Sequence, residues 1–149
     1  MQRTRKRKPP RLDIIFQSYD APVFLVTFNT HTRRALLACA EVHDALVEYC
    51  TKASDHHVGV GRYVVMPDHV HMFVSFGAGA VVTLGTWIKG LKRQLDRTLL
   101  SLGWEPVAVA GQKLRSFWHP GFHDHLLRND ESYAQKWEYV YQIPCELAW

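Results

Sequence analysis

The chain has 149 residues, of which 47% are hydrophobic and 21% are charged, so one compact domain is expected and disorder throughout the chain is excluded. No apolar run reaches the roughly 18 residues that a membrane-spanning helix needs. The three cysteines are widely spaced and form no C-x-x-C motif, which fits a reduced cytoplasmic protein rather than a disulfide scaffold or a cysteine zinc site.

The net charge of +4 is concentrated in an N-terminal arm, residues 1–19. Six of the eighteen Lys and Arg residues precede residue 12, which leaves twelve basic against fourteen acidic residues and a net charge of −2 for the rest. Such an arm is typical of segments that contact nucleic-acid phosphates, although a basic tail without any partner has the same composition. The basic residues of the arm are Arg3, Arg5, Lys6, Arg7, Lys8 and Arg11.

The rest of the chain, residues 20–149, reads as alternating strands and helices. The predicted elements are a strand at 23–28, a helix at about 34–52, strands at 58–66 and 69–76, a helix at about 83–102, a strand at 122–127 and a helix at about 129–143. Residues 107–110 fit either a hairpin strand or a loop. The order matches the split βαβ of the ferredoxin-like fold, an α+β architecture with an antiparallel sheet and two helices on one face. We expect the other face to be free for a ligand or a partner.

The two inner helices are predicted to bury apolar stripes. The stripe of the first helix comprises Leu36, Cys39, Ala40, Val47 and Cys50, and that of the second comprises Leu84, Ile88, Leu91, Leu95 and Leu99. The second helix carries four cations opposite its stripe, Lys89, Lys92, Arg93 and Arg97. They are candidates for DNA-phosphate contacts, but a solvated helix face would look the same.

The sequence His69-Val70-His71 lies in a strand that alternates strictly, with Val70 and Met72 on the apolar face. Residues i and i+2 of a strand share a face, so both imidazoles project the same way and suit two ligands of one cation. Histidines are also tolerated on any half-exposed strand, and the chain has nine.

The last predicted helix places Tyr139 nearly opposite its apolar stripe, which includes Trp137 and Val140. A solvent-side tyrosine is unremarkable alone. Beside a cation that orients a phosphate, a phenol can act as a covalent nucleophile.

Three blocks together resemble the REP-associated branch of the single-tyrosine HUH transposases, in the same order and spacing. They are YVVMPDHVHMFV (63–74), FWHPGFHDHLLRN (117–129) and EYVYQIP (138–144). The resemblance implies that residues 20–149 form a catalytic domain that cuts and rejoins single-stranded DNA near hairpins. By motif, His69 and His71 would bind Mg²⁺ or Mn²⁺, and Tyr139 would form a 5′-phosphotyrosine. A homodimer and a cytoplasmic, nucleoid-associated location in a bacterium are also expected, with no membrane association.

One position departs from the family pattern. The family usually has Asn or Gln four residues after the tyrosine as a third metal ligand, and this position is Ile143. Gln142, three residues after Tyr139, lies about 60° away on a helical wheel and is the candidate for that role.

Two other functions remain open. A non-catalytic hairpin-binding protein derived from such a transposase would explain Ile143. A metallo-phosphodiesterase or zinc site on a ferredoxin-like sheet would use the histidines without a covalent intermediate, although ligands for a closed zinc site are lacking near them.

Overall fold

The computed structural model describes residues 22–111 and 113–127, and residues 147–148 by their backbone pairing. The elements are β1 (Val23–Asn29), α1 (Ala40–Thr51), β2 (Val58–Val65), β3 (His69–Phe76), α2 (Leu84–Ser101), β4 (Val107–Ala108), β5 (Arg115–Ser116), β6 (His123–Leu127) and β7 (Leu147–Ala148). Short 3-10 turns cover His31–Arg33 and Ala53–His56. The predicted N-terminal arm and the predicted helix at 129–143 lie outside the described residues.

The main sheet has the strand order β6-β1-β3-β2-β7, and every neighbouring pair is antiparallel. The first four of these strands, with α1 and α2 as crossovers, form the split βαβ arrangement, so the predicted α+β ferredoxin-like class is confirmed. Strands β4 and β5 form a separate two-stranded ribbon, which settles residues 107–108 as part of a hairpin.

Both helices pack on one face of the sheet. Val26 of β1 and Met72 of β3 share one buried cluster with Leu46 of α1 and Leu91 of α2. Each of these four side chains is fully buried. Burial of such apolar side chains is the main source of stability in a domain of this size.

Helix α1 begins at Ala40, and the prediction of a helix from about residue 34 is wrong. Leu37 N donates to Pro67 O (2.9 Å), and Cys39 is extended with φ −147°. Because this tertiary bond occupies the backbone N–H of Leu37, the segment before α1 is not helical, and Arg34 and Cys39 at its two ends have extended backbone angles. The predicted stripe is corrected with it: the buried positions of α1 are Val42, Ala45, Leu46 and Cys50.

Helix α2 agrees with its predicted bounds. The side chain of Thr83 caps its N-terminus by accepting from Thr86 N (3.2 Å). The predicted stripe is buried except at Leu84, which is partly exposed, and Trp87 is buried in addition. At the C-terminus, Gly103 adopts φ +92°, Gly103 N donates to Leu100 O (3.0 Å), and Trp104 N donates to Leu99 O (3.0 Å). This Schellman turn fixes the position of Trp104.

The face of the sheet away from the helices is largely buried, and the expectation of a free face is wrong. Leu25 is 9% exposed, Val64 1% and Phe73 0%. On the same face, His123 and His125 of the edge strand β6 are exposed. Within the described part of the chain, this face is therefore exposed at its β6 edge, whereas where β3 begins the side chain of His69 is only 12% exposed and His71 is buried.

Candidate functional site

His69 and His71 lie side by side at the start of β3, on the face opposite the helices. Val70 between them is fully buried in the core, as the alternation predicted. The two imidazole centroids are 4.8 Å apart, and the ring planes are nearly perpendicular at 87°. The predicted juxtaposition of the two rings is therefore present in the structure.

Asp68 holds the ring of His69. Its Oδ1 accepts a hydrogen bond from His69 Nδ1 at 2.6 Å, and its Oδ2 pairs with Arg33 Nε at 2.9 Å. Burial opposes ionisation of this carboxyl, but the hydrogen bond and charge of His69 and the charge of Arg33 outweigh it, so the pKa of Asp68 lies below its usual value. An ionised carboxylate at Nδ1 leaves Nε2 as the free ring nitrogen, which is the usual arrangement behind a metal-binding histidine.

Thr27 holds the ring of His71 from the neighbouring strand. Its Oγ1 lies 2.7 Å from His71 Nδ1, and the two residues are direct partners in the β1–β3 register. Burial, with the nearby charges of His69 and Arg33, lowers the pKa of His71 to about 4. A neutral imidazole with Nδ1 engaged again leaves Nε2 free to bind a cation.

The loop that carries Asp68 is fixed to the end of β1 by Thr30. Thr30 is fully buried; its N donates to Asp68 O (2.9 Å), and its Oγ1 donates to Arg34 O (2.8 Å). The adjacent His31 N donates to Phe117 O (2.9 Å), which joins the second sequence block to the same corner. The support of the histidine pair is therefore a network of bonds between distant chain segments.

Sequence reasoning found the two histidines but missed the residues that orient them. Asp68 was adjacent in the sequence, and its place before the first histidine was an available signal. Thr27 lies 44 residues from His71 and Thr30 lies 38 residues from Asp68. The role of Thr27 is shown by the strand register, and that of Thr30 by its hydrogen bond to Asp68 O.

The remaining predicted ligand and nucleophile, Gln142 and Tyr139, lie outside the described residues. Among residues 22–111 and 113–127, no cluster of three His, Cys, Asp or Glu side chains could hold a metal ion. The described part of the site therefore supplies two imidazole nitrogens.

The cations of α2 do not share one environment. Lys89, Arg93 and Arg97 are exposed, and because α2 packs on the helix face, they lie on the side of the sheet opposite the histidine pair. Lys92 is half-buried: its Nζ donates to Gly121 O (2.6 Å) and lies 5.8 Å from the Phe28 ring centroid. Burial lowers the pKa of Lys92 to about 8. The cations of the N-terminal arm lie outside the described residues.

Two further histidines border the same face as the pair. In the β1–β6 register, His123 is the partner of Thr27 and His125 is the partner of Leu25. Because direct partners project to one face, His123, Thr27 and His71 form a row across three strands. These exposed imidazoles form the accessible edge of the site.

Comparison with known proteins finds similarity to a REP-associated tyrosine transposase, the group that the three sequence blocks resemble. No family model matches the chain. A curated relative, the REP-associated tyrosine transposase of Escherichia coli K12, is 22% identical over 123 residues, 83% of this chain. The match spans 66% of that relative, slightly less than two thirds of its length.

Two solved structures share the fold. One is a REP-associated tyrosine transposase bound to a REP hairpin, with a TM-score of 0.56, 20% identity, and coverage of 95% of this chain and 71% of that one. The other is a candidate transposase from Deinococcus radiodurans R1, with a TM-score of 0.53, 19% identity, and coverage of 95% and 96%. The predicted resemblance to REP-associated tyrosine transposases is confirmed. Within the described residues, no helix has the length and apolar character needed to cross a membrane.

Proposed function

We propose that this chain is a metal-dependent single-stranded DNA endonuclease and strand transferase that acts at REP-like hairpins during DNA transposition. The observation that carries the proposal is the pair His69 and His71, whose Nδ1 atoms are engaged by Asp68 and Thr27. Such a pair presents two Nε2 atoms on one face of a strand. The similarity to transposases, one of them bound to a REP hairpin, supports this choice of substrate.

The proposed cation is Mg²⁺ or Mn²⁺, as the resemblance to HUH transposases implies. His69 and His71 would supply two ligands and Gln142 a third, which leaves coordination positions for the oxygens of a phosphate. The cation would neutralise charge that develops on the non-bridging oxygens and would hold the phosphate for in-line attack. Asp68 and Thr27 are the positioning residues, because each fixes the orientation of one imidazole.

Tyr139 is the proposed nucleophile. Its phenolic oxygen forms a bond to the scissile phosphorus, and the bond from phosphorus to the 3′ oxygen breaks. The phenolic proton is released to solvent and the departing 3′ oxygen takes up a proton, which gives a 5′-phosphotyrosine and a free 3′-hydroxyl. Attack by a 3′-hydroxyl reverses the step, so rejoining needs no ATP.

The cations divide the DNA-binding role between two places. Arg3, Arg5 and the other basic residues of the arm would contact hairpin phosphates. Lys89, Arg93 and Arg97 face away from the histidine pair, so they would contact a part of the DNA other than the scissile phosphate. Lys92 was predicted to contact DNA with them, but its ammonium group already donates a hydrogen bond to Gly121 O, so we assign it a structural role. The homodimer and the cytoplasmic, nucleoid-associated location remain predictions.

A gel assay for a covalent adduct tests the proposal. Single-stranded DNA that contains a hairpin from the flanks of the gene is labelled at its 3′ end and incubated with the protein and Mn²⁺. We expect a labelled protein–DNA band that resists denaturation and is lost with EDTA, Tyr139→Phe or His71→Ala. Tyr141→Phe is the matched control and should keep the band. Absence of an adduct with both metals and several hairpins would contradict the proposal.

A non-catalytic hairpin-binding protein is the second candidate, and Ile143 favours it because the family usually has Asn or Gln there. This candidate predicts hairpin binding without an adduct in the wild type. Binding would then be unchanged by His69→Ala and Tyr139→Phe. A larger loss in either variant than in an exposed-residue control such as Leu114→Ala would argue against it.

A further inference from the structure

A pocket of about 510 Å³ opens at the end of the sheet where the histidine pair lies. Its walls come from the segment before α1, from the loop between β2 and β3, and from the turn after α2. Its lining includes Leu36, Glu41, Pro67, Leu102 and Trp104. Its volume falls in the range of sites that hold small organic groups.

Trp104 provides an exposed aromatic surface in this pocket. The side chain is 43% exposed, which is a large exposed area for an indole, and the Schellman turn at Gly103 fixes its backbone. A fixed, accessible aromatic ring is the common platform on which single-stranded nucleic acids stack a base.

Polar groups at the pocket suit a base and its phosphate. The guanidinium of Arg34 lies 5.9 Å from the Trp104 ring centroid and donates to Glu105 O (2.8 Å). It is therefore held near the ring with positive charge for a phosphate. Glu41 lines the pocket and offers carboxylate oxygens, which accept from the exocyclic amino group of a base.

The pocket adjoins the histidine site through two pairs of consecutive residues. Pro67 lines the pocket, and the next residue, Asp68, bonds to His69. Arg34 lies by Trp104, and the preceding Arg33 pairs with the same Asp68. One DNA strand that crosses this corner could therefore occupy both places.

We propose that this pocket binds an unpaired nucleobase of the DNA strand, stacked on Trp104 and contacted by Glu41, and that it sets the position of the strand relative to His69 and His71. The inference rests on the proposed function, because it takes single-stranded DNA next to a hairpin as the ligand. It adds a base-reading site that is separate from the cation site.

The test measures binding of hairpin DNA that carries a four-nucleotide single-stranded extension, without metal so that no cleavage occurs. Four further probes each carry one abasic site in the extension, and a blunt hairpin is the reference. We expect one abasic position to weaken binding to the wild type roughly tenfold, the scale of one stacked base. The abasic site at that position should not weaken binding to Trp104→Ala. It should still weaken binding to Trp104→Phe, but by less than in the wild type.

Leu114→Ala is the matched control, because Leu114 is an exposed apolar residue outside the pocket. Equal affinity of wild type and Trp104→Ala for the extended hairpin would overturn the proposed role of the pocket, although it would not contradict hairpin binding. An equal loss for extended and blunt hairpins would also overturn it, because the effect would then not depend on an unpaired base. Failure of the wild type to bind any probe would overturn both this inference and the proposed function.

Discussion

Thr27 Oγ1 lies 2.7 Å from Nδ1 of His71, although 44 residues separate the two in the chain. The antiparallel register of β1 and β3 makes them direct partners. The hydrogen bond fixes the ring in the orientation that leaves Nε2 free. Under the proposed function, metal binding would therefore depend on a strand that carries none of the proposed ligands.

Replacing Thr27 with Val keeps the side-chain shape and removes the partner of His71 Nδ1. We expect about tenfold weaker Mn²⁺ binding, because loss of such a bond loosens the ligand. Calorimetric titration with Mn²⁺ measures the change. Thr51→Val, on the exposed end of α1, is the control and should bind like the wild type. Unchanged affinity in Thr27→Val would show that the bond does not support the site.

Asp68→Asn tests the other imidazole. The amide keeps the shape of the carboxylate but loses the charge that attracts His69 and Arg33. We expect Mn²⁺ affinity to fall by about tenfold or more and the rate of adduct formation to fall with it. Asp55→Asn, a change of the same chemistry in the turn after α1, should leave both quantities unchanged. Equal Mn²⁺ affinities and equal rates of adduct formation for Asp68→Asn and Asp55→Asn would contradict the proposed role of Asp68.

Lys92 gives stability a defined dependence on pH. Its pKa in the folded state is lowered to about 8 by burial, from a usual 10.5, so the unfolded state binds more protons between these values. The contribution of this group to the free energy of unfolding therefore rises from pH 8 to about 10.5, as the folded protein loses the buried charge first.

Urea unfolding of wild type and Lys92→Met at pH 7 and pH 10 measures this contribution. The free energy of unfolding of the wild type, relative to that of Lys92→Met, should be higher at pH 10 than at pH 7. Lys89→Met, at an exposed position on the same helix, should show no such shift. Parallel pH dependence of Lys92→Met and wild type would contradict the assignment.

Removal of residues 1–11 should weaken hairpin binding and leave the fold intact. Each phosphate contact that is lost lowers the slope of log affinity against log salt concentration by about 0.7 to 0.9. Binding measured at several salt concentrations gives that slope. A chain in which the six basic residues of this segment are replaced by Gln is the control for length, and it should behave like the deletion. An unchanged slope would show that the arm makes no contacts with DNA phosphates.

The sequence predicted the structure correctly where local periodicity determines it. The two-residue alternation of β3 was enough to place His69 and His71 on one face, and the helical spacing of apolar residues was enough to place the bounds of α2. The start of α1 was missed because Leu37 N bonds to Pro67 O, a tertiary contact that overrides local helical spacing. The role of Thr27 was missed for a similar reason, since register joins residues that no local pattern relates.

Under the proposed function, Tyr139 becomes covalently linked to the 5′ end of cleaved DNA in a reaction that needs His69, His71 and a divalent cation. Tandem mass spectrometry of the peptides formed after incubation with hairpin DNA and Mn²⁺ tests it most directly. We predict one nucleotide-modified peptide, with the phosphate on Tyr139, that disappears in His69→Ala. Modification of a different residue, or cleaved DNA without any modified peptide, would contradict the account.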